Sequence, residues 1–155
     1  MCMLIGTSTM QAQNLLEKLP DSEEEWVASE EKVLATIDWL ENTPIDQEKE
    51  KRETQTALLL VWIINSPTVT VELNSDVTPF TKKNPELLVS FIGGYTRYVL
   101  QNDYSKDVQA CSLAGVQSAI KVYKAGGLKK DKRMEAIIES DNKGELETWV
   151  KEQMQ

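Results

Sequence analysis

The chain has 155 residues, the size of one domain able to bury a substantial core. Its formal net charge of −8 repels phosphate backbones and argues against a nucleic-acid partner. It contains no histidine, which excludes His-based acid–base chemistry, Ser–His and Cys–His nucleophile pairs and His-containing metal sites. The acidity is local. Residues 21–53 hold twelve acidic and four basic residues, whereas from Thr54 to the end the count is twelve against twelve.

Residues 1–12 carry no charge and pass from an apolar start through small polar residues to Ala12, followed by Gln13-Asn14. This reads as the back half of a secretory signal peptide cut near Ala12, although the basic n-region is missing and Met10 is large for its place before the cut. The expected mature chain, 13–155, is a single helical domain in the periplasm or secreted. Cys2 falls in the removed segment. Cys111, left alone in a helix, reads as a small buried apolar residue, so no disulfide framework is expected within one chain.

Ser22-Glu23-Glu24-Glu25 has the capping-box spacing and opens a helix over 22–41. Trp26, Val27, Val33, Leu34, Ile37 and Leu40 form its apolar stripe. Asn42-Thr43-Pro44 stops it, and a short turn leads to an antiparallel helix over 47–65, with Asp46 as its N-cap. The second half of that helix, 57–64, reads Ala-Leu-Leu-Leu-Val-Trp-Ile-Ile and is the longest apolar run beyond the N-terminus. Eight such residues fit a buried strand or a buried helix. The helix-forming residues before them, and Pro67 after them, decide for a helix. The run is too short to span a membrane. Being apolar on every face, it is expected to be surrounded by other elements, with Trp62 in the core.

Residues 66–84 are the least helical part. Residues 68–73 alternate as a strand does, yet no partner strand is found in the sequence, so an extended crossing or at most a small hairpin is expected, with Val69, Val71 and Phe80 pinned onto helices. A loop of this length is also where a site is best sought. Asn84 as cap and Pro85 in the first turn open a helix over 85–102, and Gly93-Gly94 in its middle reads as close approach of another helix in preference to a kink beside a ligand. Ser105 is a cap for a helix over 107–125 whose face of Val108, Cys111, Ala114 (or Gly115), Ala119, Val122 and Tyr123 suits tight packing. Gly126-Gly127 ends it in the left-handed conformation. Shorter helices follow over 131–139, with Met134, Ile137 and Ile138, and over 145–153, with Leu146, Trp149 and Val150. The basic residues from Lys121 to Arg133 read as a solvated helix end and loop.

The fold class is therefore all-α: five to six helices in antiparallel hairpins, as an irregular bundle or a degenerate helical array, with one extended crossing at about 66–84. The hairpins share no period, so a regular solenoid is excluded.

Ser118-Ala119-Ile120-Lys121 and Ser140-Asp141-Asn142 match two signatures of penicillin-recognising enzymes, but the third is absent and the matches lie only about twenty residues apart. Residues 139–150 overlap the calcium-loop template but place Val150 where a bidentate Glu is required. Neither match carries function, and no catalytic residue, metal site or cofactor is expected.

The opening through Gln11-Ala12-Gln13-Asn14, the Trp26 helix, Val61-Trp62-Ile63-Ile64-Asn65-Ser66-Pro67 and Phe91-Ile92-Gly93-Gly94-Tyr95 resemble those of small exported helical proteins of Bacteroides-like bacteria. The resemblance implies an envelope location and a helical fold, and no activity. The functional expectation is an exported, non-catalytic module that binds a protein or a small ligand. Its concave face would lie between the helices at 47–65, 85–102 and 107–125, near the crossing, with Asn65, Tyr95 and Tyr98 as ligand-binding candidates. The alternatives are a carboxylate-dependent envelope hydrolase, which needs two acidic side chains facing across a cleft, and a cytosolic helical adaptor.

Overall fold

The computed structural model describes residues 14–155. The signal-peptide reading of residues 1–12 lies outside the described residues. Seven helices follow in order: α1 (Glu23–Ala28), α2 (Glu30–Asn42), α3 (Lys49–Asn65), α4 (Glu86–Gln101), α5 (Val108–Lys124), α6 (Lys132–Asn142) and α7 (Leu146–Gln153). No strand occurs among the described residues. The all-α expectation holds, with one helix more than expected. Helix α2 packs against α3, α4 and α5, and α7 packs against α5 as well as α6. The all-helical architecture fits an irregular bundle or a degenerate helical array.

The extra helix arises at Ser29. Sequence periodicity predicts one helix over 22–41, but Ser29 divides it into α1 and α2. Its hydroxyl donates to the Trp26 carbonyl at 2.7 Å and accepts the Trp62 indole N–H at 2.8 Å. One small side chain thus satisfies a helix-end carbonyl and a buried indole, and fixes where α3 meets the α1–α2 joint. The Trp26 and Trp62 rings pack 5.7 Å apart at the same place.

Helix α3 begins at Lys49 rather than after Asp46. Glu48 precedes it in the left-handed conformation, φ 46°, with no side-chain cap. Only one of its faces is in the core, through Gln55, Leu59, Trp62 and Ile63. The expectation that 57–64 is surrounded on every side fails: Ile64 is 79% exposed and Val61 39%.

Three polar latches hold α3 to α2. The Leu16 N–H donates to Thr36 Oγ1 at 3.0 Å, and Gln55 Nε2 donates to the Leu16 carbonyl at 2.9 Å. Buried Thr36 and Gln55 thereby take up the backbone of the segment that seats Leu15 and Leu16 in the core. The Arg52 guanidinium donates to the carbonyls of Leu40 (3.1 Å) and Thr43 at the C-terminal end of α2, where a positive charge complements the helix dipole. Trp62 and Ser29 supply the third.

Residues 66–84 form the extended crossing that their sequence predicts. Ser66 Oγ accepts the N–H groups of Thr68 (3.2 Å) and Val69 (3.1 Å). Val69, Val77 and Phe80 are buried, the last in a single 3-10 turn at Pro79–Lys82. Asn84 does not cap α4. Its side chain is 1% exposed and clamps Lys129, accepting its N–H at 2.9 Å and donating to its carbonyl at 2.8 Å. Asp107, not Ser105, caps α5 by accepting the Ala110 N–H at 3.1 Å.

The α4–α5 contact is the closest in the bundle. A Cβ on Gly94 would lie 2.7 Å from the Ala114 carbonyl oxygen and 2.3 Å from Ser118 Oγ. One on Gly115 would lie 2.6 Å from the Phe91 ring. The Gly93-Gly94 pair is a packing device, as expected. Arg97, one turn on, bridges three helices through Asp38 (2.8 Å), Glu41 and Ser118 Oγ (3.0 Å). Gly94→Ala should destabilise the fold by about 2–3 kcal/mol, because the added Cβ meets the Ala114 carbonyl as well as the buried Ser118 side chain. The urea midpoint should fall with little change in m; an unchanged midpoint would contradict the contact.

Candidate functional site

A groove of about 670 Å³ lies between α2, α3 and α4. That volume is in the range of small-ligand sites. Ile37 and Leu40 of α2, Leu59 and Leu60 of α3 and Val89 of α4 supply apolar lining. Ile45, in the α2–α3 connection, and Gly127, after α5, close one end. Gly127 belongs there because φ of 81° suits glycine, and a Cβ would already touch Ile45 at 3.8 Å.

Charges surround this lining. Glu41, Asp46, Glu53 and Glu86 supply carboxylates, against Lys49 and Arg52. Glu41 is engaged by Arg97 and lies 3.8 Å from Lys121 Nζ. Arg52 is turned onto helix-end carbonyls. Burial pulls its pKa below the ordinary arginine value, and its Nε is buried without a hydrogen-bond partner among the described residues. Burial opposes the charge on Arg97 too, but the hydrogen bond and charge of Glu41, then of Asp38, outweigh it and raise its pKa. No group of three or more Cys, Asp or Glu side chains among the described residues is placed to hold a metal ion.

The three residues singled out from sequence do not converge. Asn65 is exposed, and its side-chain amide donates to the Val61 carbonyl at 2.8 Å within its own helix. Tyr98 is half-buried against the core. Tyr95 is 2% exposed and lines a second, smaller pocket of about 230 Å³, together with Thr68, Thr70 and Glu72 of the crossing and Tyr104. The crossing does border a pocket, but a different one from the large groove. Desolvation by burial raises the Tyr95 pKa above the ordinary phenol value. Tyr104, whose hydroxyl donates to Glu30 at 2.8 Å, is raised first by that hydrogen bond. Desolvation likewise raises the thiol of Cys111, which is fully buried as expected. Ser118, the serine of the S-x-x-K match, is buried and accepts from Arg97.

The groove residues missed from sequence carry one faint signal. Glu53, Ala57 and Leu60 of the groove recur at helical spacing, continued outside it by Val61 and Ile64, on a face distinct from Gln55, Trp62 and Ile63. Separating those two rows would have located the α3 wall. Ile45 and Gly127, far apart in sequence, carry no such signal.

Comparison with protein-family models, with curated proteins and with solved structures finds no match.

Tyr95 gives the fold a pH dependence with a definite sign. Its folded pKa is raised, so its contribution is complete below the unfolded value of about 10 and is lost as pH rises through the folded value. Tyr95→Phe should remove that part of the alkaline loss, measured as the shift in urea midpoint between neutral pH and pH above about 10. An identical alkaline loss in the variant would show that Tyr95 does not carry it.

Proposed function

We propose that the protein is a non-catalytic binding module whose groove between α2, α3 and α4 takes the apolar part of a ligand. One observation carries this reading: a groove of about 670 Å³, walled by Ile37, Leu40, Leu60 and Val89, stays open although the chain has a packed core beside it. Apolar lining with a few placed charges is the usual composition of a ligand site. The protein acts in the cell envelope; the uncharged apolar opening of the chain, and its resemblance to exported helical proteins, support that location.

Ser90 is half-buried and lines the groove, so a large side chain there fills it without disturbing the core. Nile red, a neutral apolar dye, should bind the full chain saturably at one site. Ser90→Trp should weaken that binding about tenfold or more with helical content intact. Dye uptake untouched by Ser90→Trp would overturn the groove as the site. The location has its own test, the mass of the protein recovered from fractions of its native host. Loss of residues 1–12 outside the cytoplasm is expected, and an intact N-terminus in the cytosol would sink it.

A further inference from the structure

We propose that the groove docks a basic amphipathic helix of a partner protein, laid along α3. This rests on the groove being the binding site, as proposed above, and names the class of ligand.

The α3 wall does not end where the groove ends. Glu53, Ala57 and Leu60 line the groove. Val61 and Ile64 continue that face, exposed to 39% and 79%, to the last turn of the helix. Positions 57, 61 and 64 stand at helical spacing, so they form one apolar row. From Glu53 to Ile64 the row runs about 16 Å, three turns of helix. A compact small molecule held in the groove leaves Val61 and Ile64 in water. A helix presenting apolar residues at matching intervals covers both the groove and the row.

Charge selects the sign of that helix. Glu41 is already engaged by Arg97 and Lys121, and Arg52 by the carbonyls of Leu40 and Thr43. Asp46, Glu53 and Glu86 remain, against Lys49 alone, and none of these four makes an ion pair with a described residue. The α2 wall, the α2–α3 connection and the first turns of α3 also belong to residues 21–53, where acidic residues outnumber basic ones twelve to four. Lysines and arginines flanking the apolar face of a partner helix meet this rim with complementary charge, while an acidic partner is repelled.

The test uses the full chain and two fluorescently labelled peptides of about four helical turns. They share one pattern of leucines, and the remaining positions are all lysine in one and all glutamate in the other. The lysine peptide should bind about tenfold tighter or better than the glutamate peptide, and added salt should weaken it. Glu53→Lys with Glu86→Lys should abolish or reverse that preference. Val61→Asp with Ile64→Asp, both at exposed positions, should weaken the lysine peptide by about tenfold. Equal binding of the two peptides, or a preference that survives the Glu53 and Glu86 changes, overturns the proposal. So does a stable dimer that the Val61 and Ile64 changes dissociate, since a second copy then covers the row. Nile red separates the two readings: if the dye binds and neither peptide does, the groove stands as a small-ligand site and the docked helix falls. If dye and peptides all fail, both fall.

Discussion

Helices α4 and α5 approach so closely that a Cβ on Gly94 would meet both the Ala114 carbonyl and the Ser118 side chain, and at Gly115 the Phe91 ring lies where a Cβ would stand. An atom added at either glycine must displace backbone, the buried Ser118 side chain or a buried ring. The position of α2 follows from that pair. Ile37 rests over Gly93, where a Cβ would stand 3.2 Å from Ile37 Cγ2. Arg97 reaches across to Asp38 and Glu41 while donating to Ser118 on α5. A slightly wider α4–α5 contact would pull Arg97 away from one partner or the other.

Helix α3 is held by different means, and the difference leaves the groove. Its polar latches all run toward the α1–α2 side: Trp62 to Ser29, Gln55 to the strap at Leu16, and Arg52 to the end of α2. Its packing on α4 is slighter than its packing on α2. Hydrogen bonds set a distance, whereas apolar surfaces close until they touch. With α3 tied to α2 and α2 tied to α4 through Arg97, the gap between α3 and α4 cannot close without breaking a latch. Apolar side chains of three helices therefore border an open groove.

The floor at one end depends on a chain of contacts well away from the groove. Asn84 clamps Lys129, and the Asp131 N–H donates to the Tyr123 hydroxyl at 3.1 Å. Asp131 then caps α6 by accepting the Arg133 N–H at 2.9 Å. These bonds seat the α5–α6 connection so that Gly127 lies against Ile45. Buried polar groups here specify one loop path, a role that apolar packing alone performs poorly.

The sequence by itself determined the helices, the extended crossing and the close α4–α5 approach. Periodicity, Pro67, Asn84-Pro85 and the paired glycines are local properties, and local sterics and solvation enforce them wherever the chain goes. Four features were decided only by tertiary structure. Ser29 breaks a helix because the Trp62 indole, 33 residues away, needs an acceptor. Asn84 abandons its cap because Lys129 offers two bonds instead of one. Ala57, Val61 and Ile64 of the apolar run 57–64 face outward because the latches on α3 fix its rotation, which composition does not encode. The groove joins Ile45, Leu60, Val89 and Gly127 from four separate segments. Asn65, Tyr95 and Tyr98 are linked by their polar or aromatic character but line no common cavity, since side-chain type does not tell which way a helix is turned.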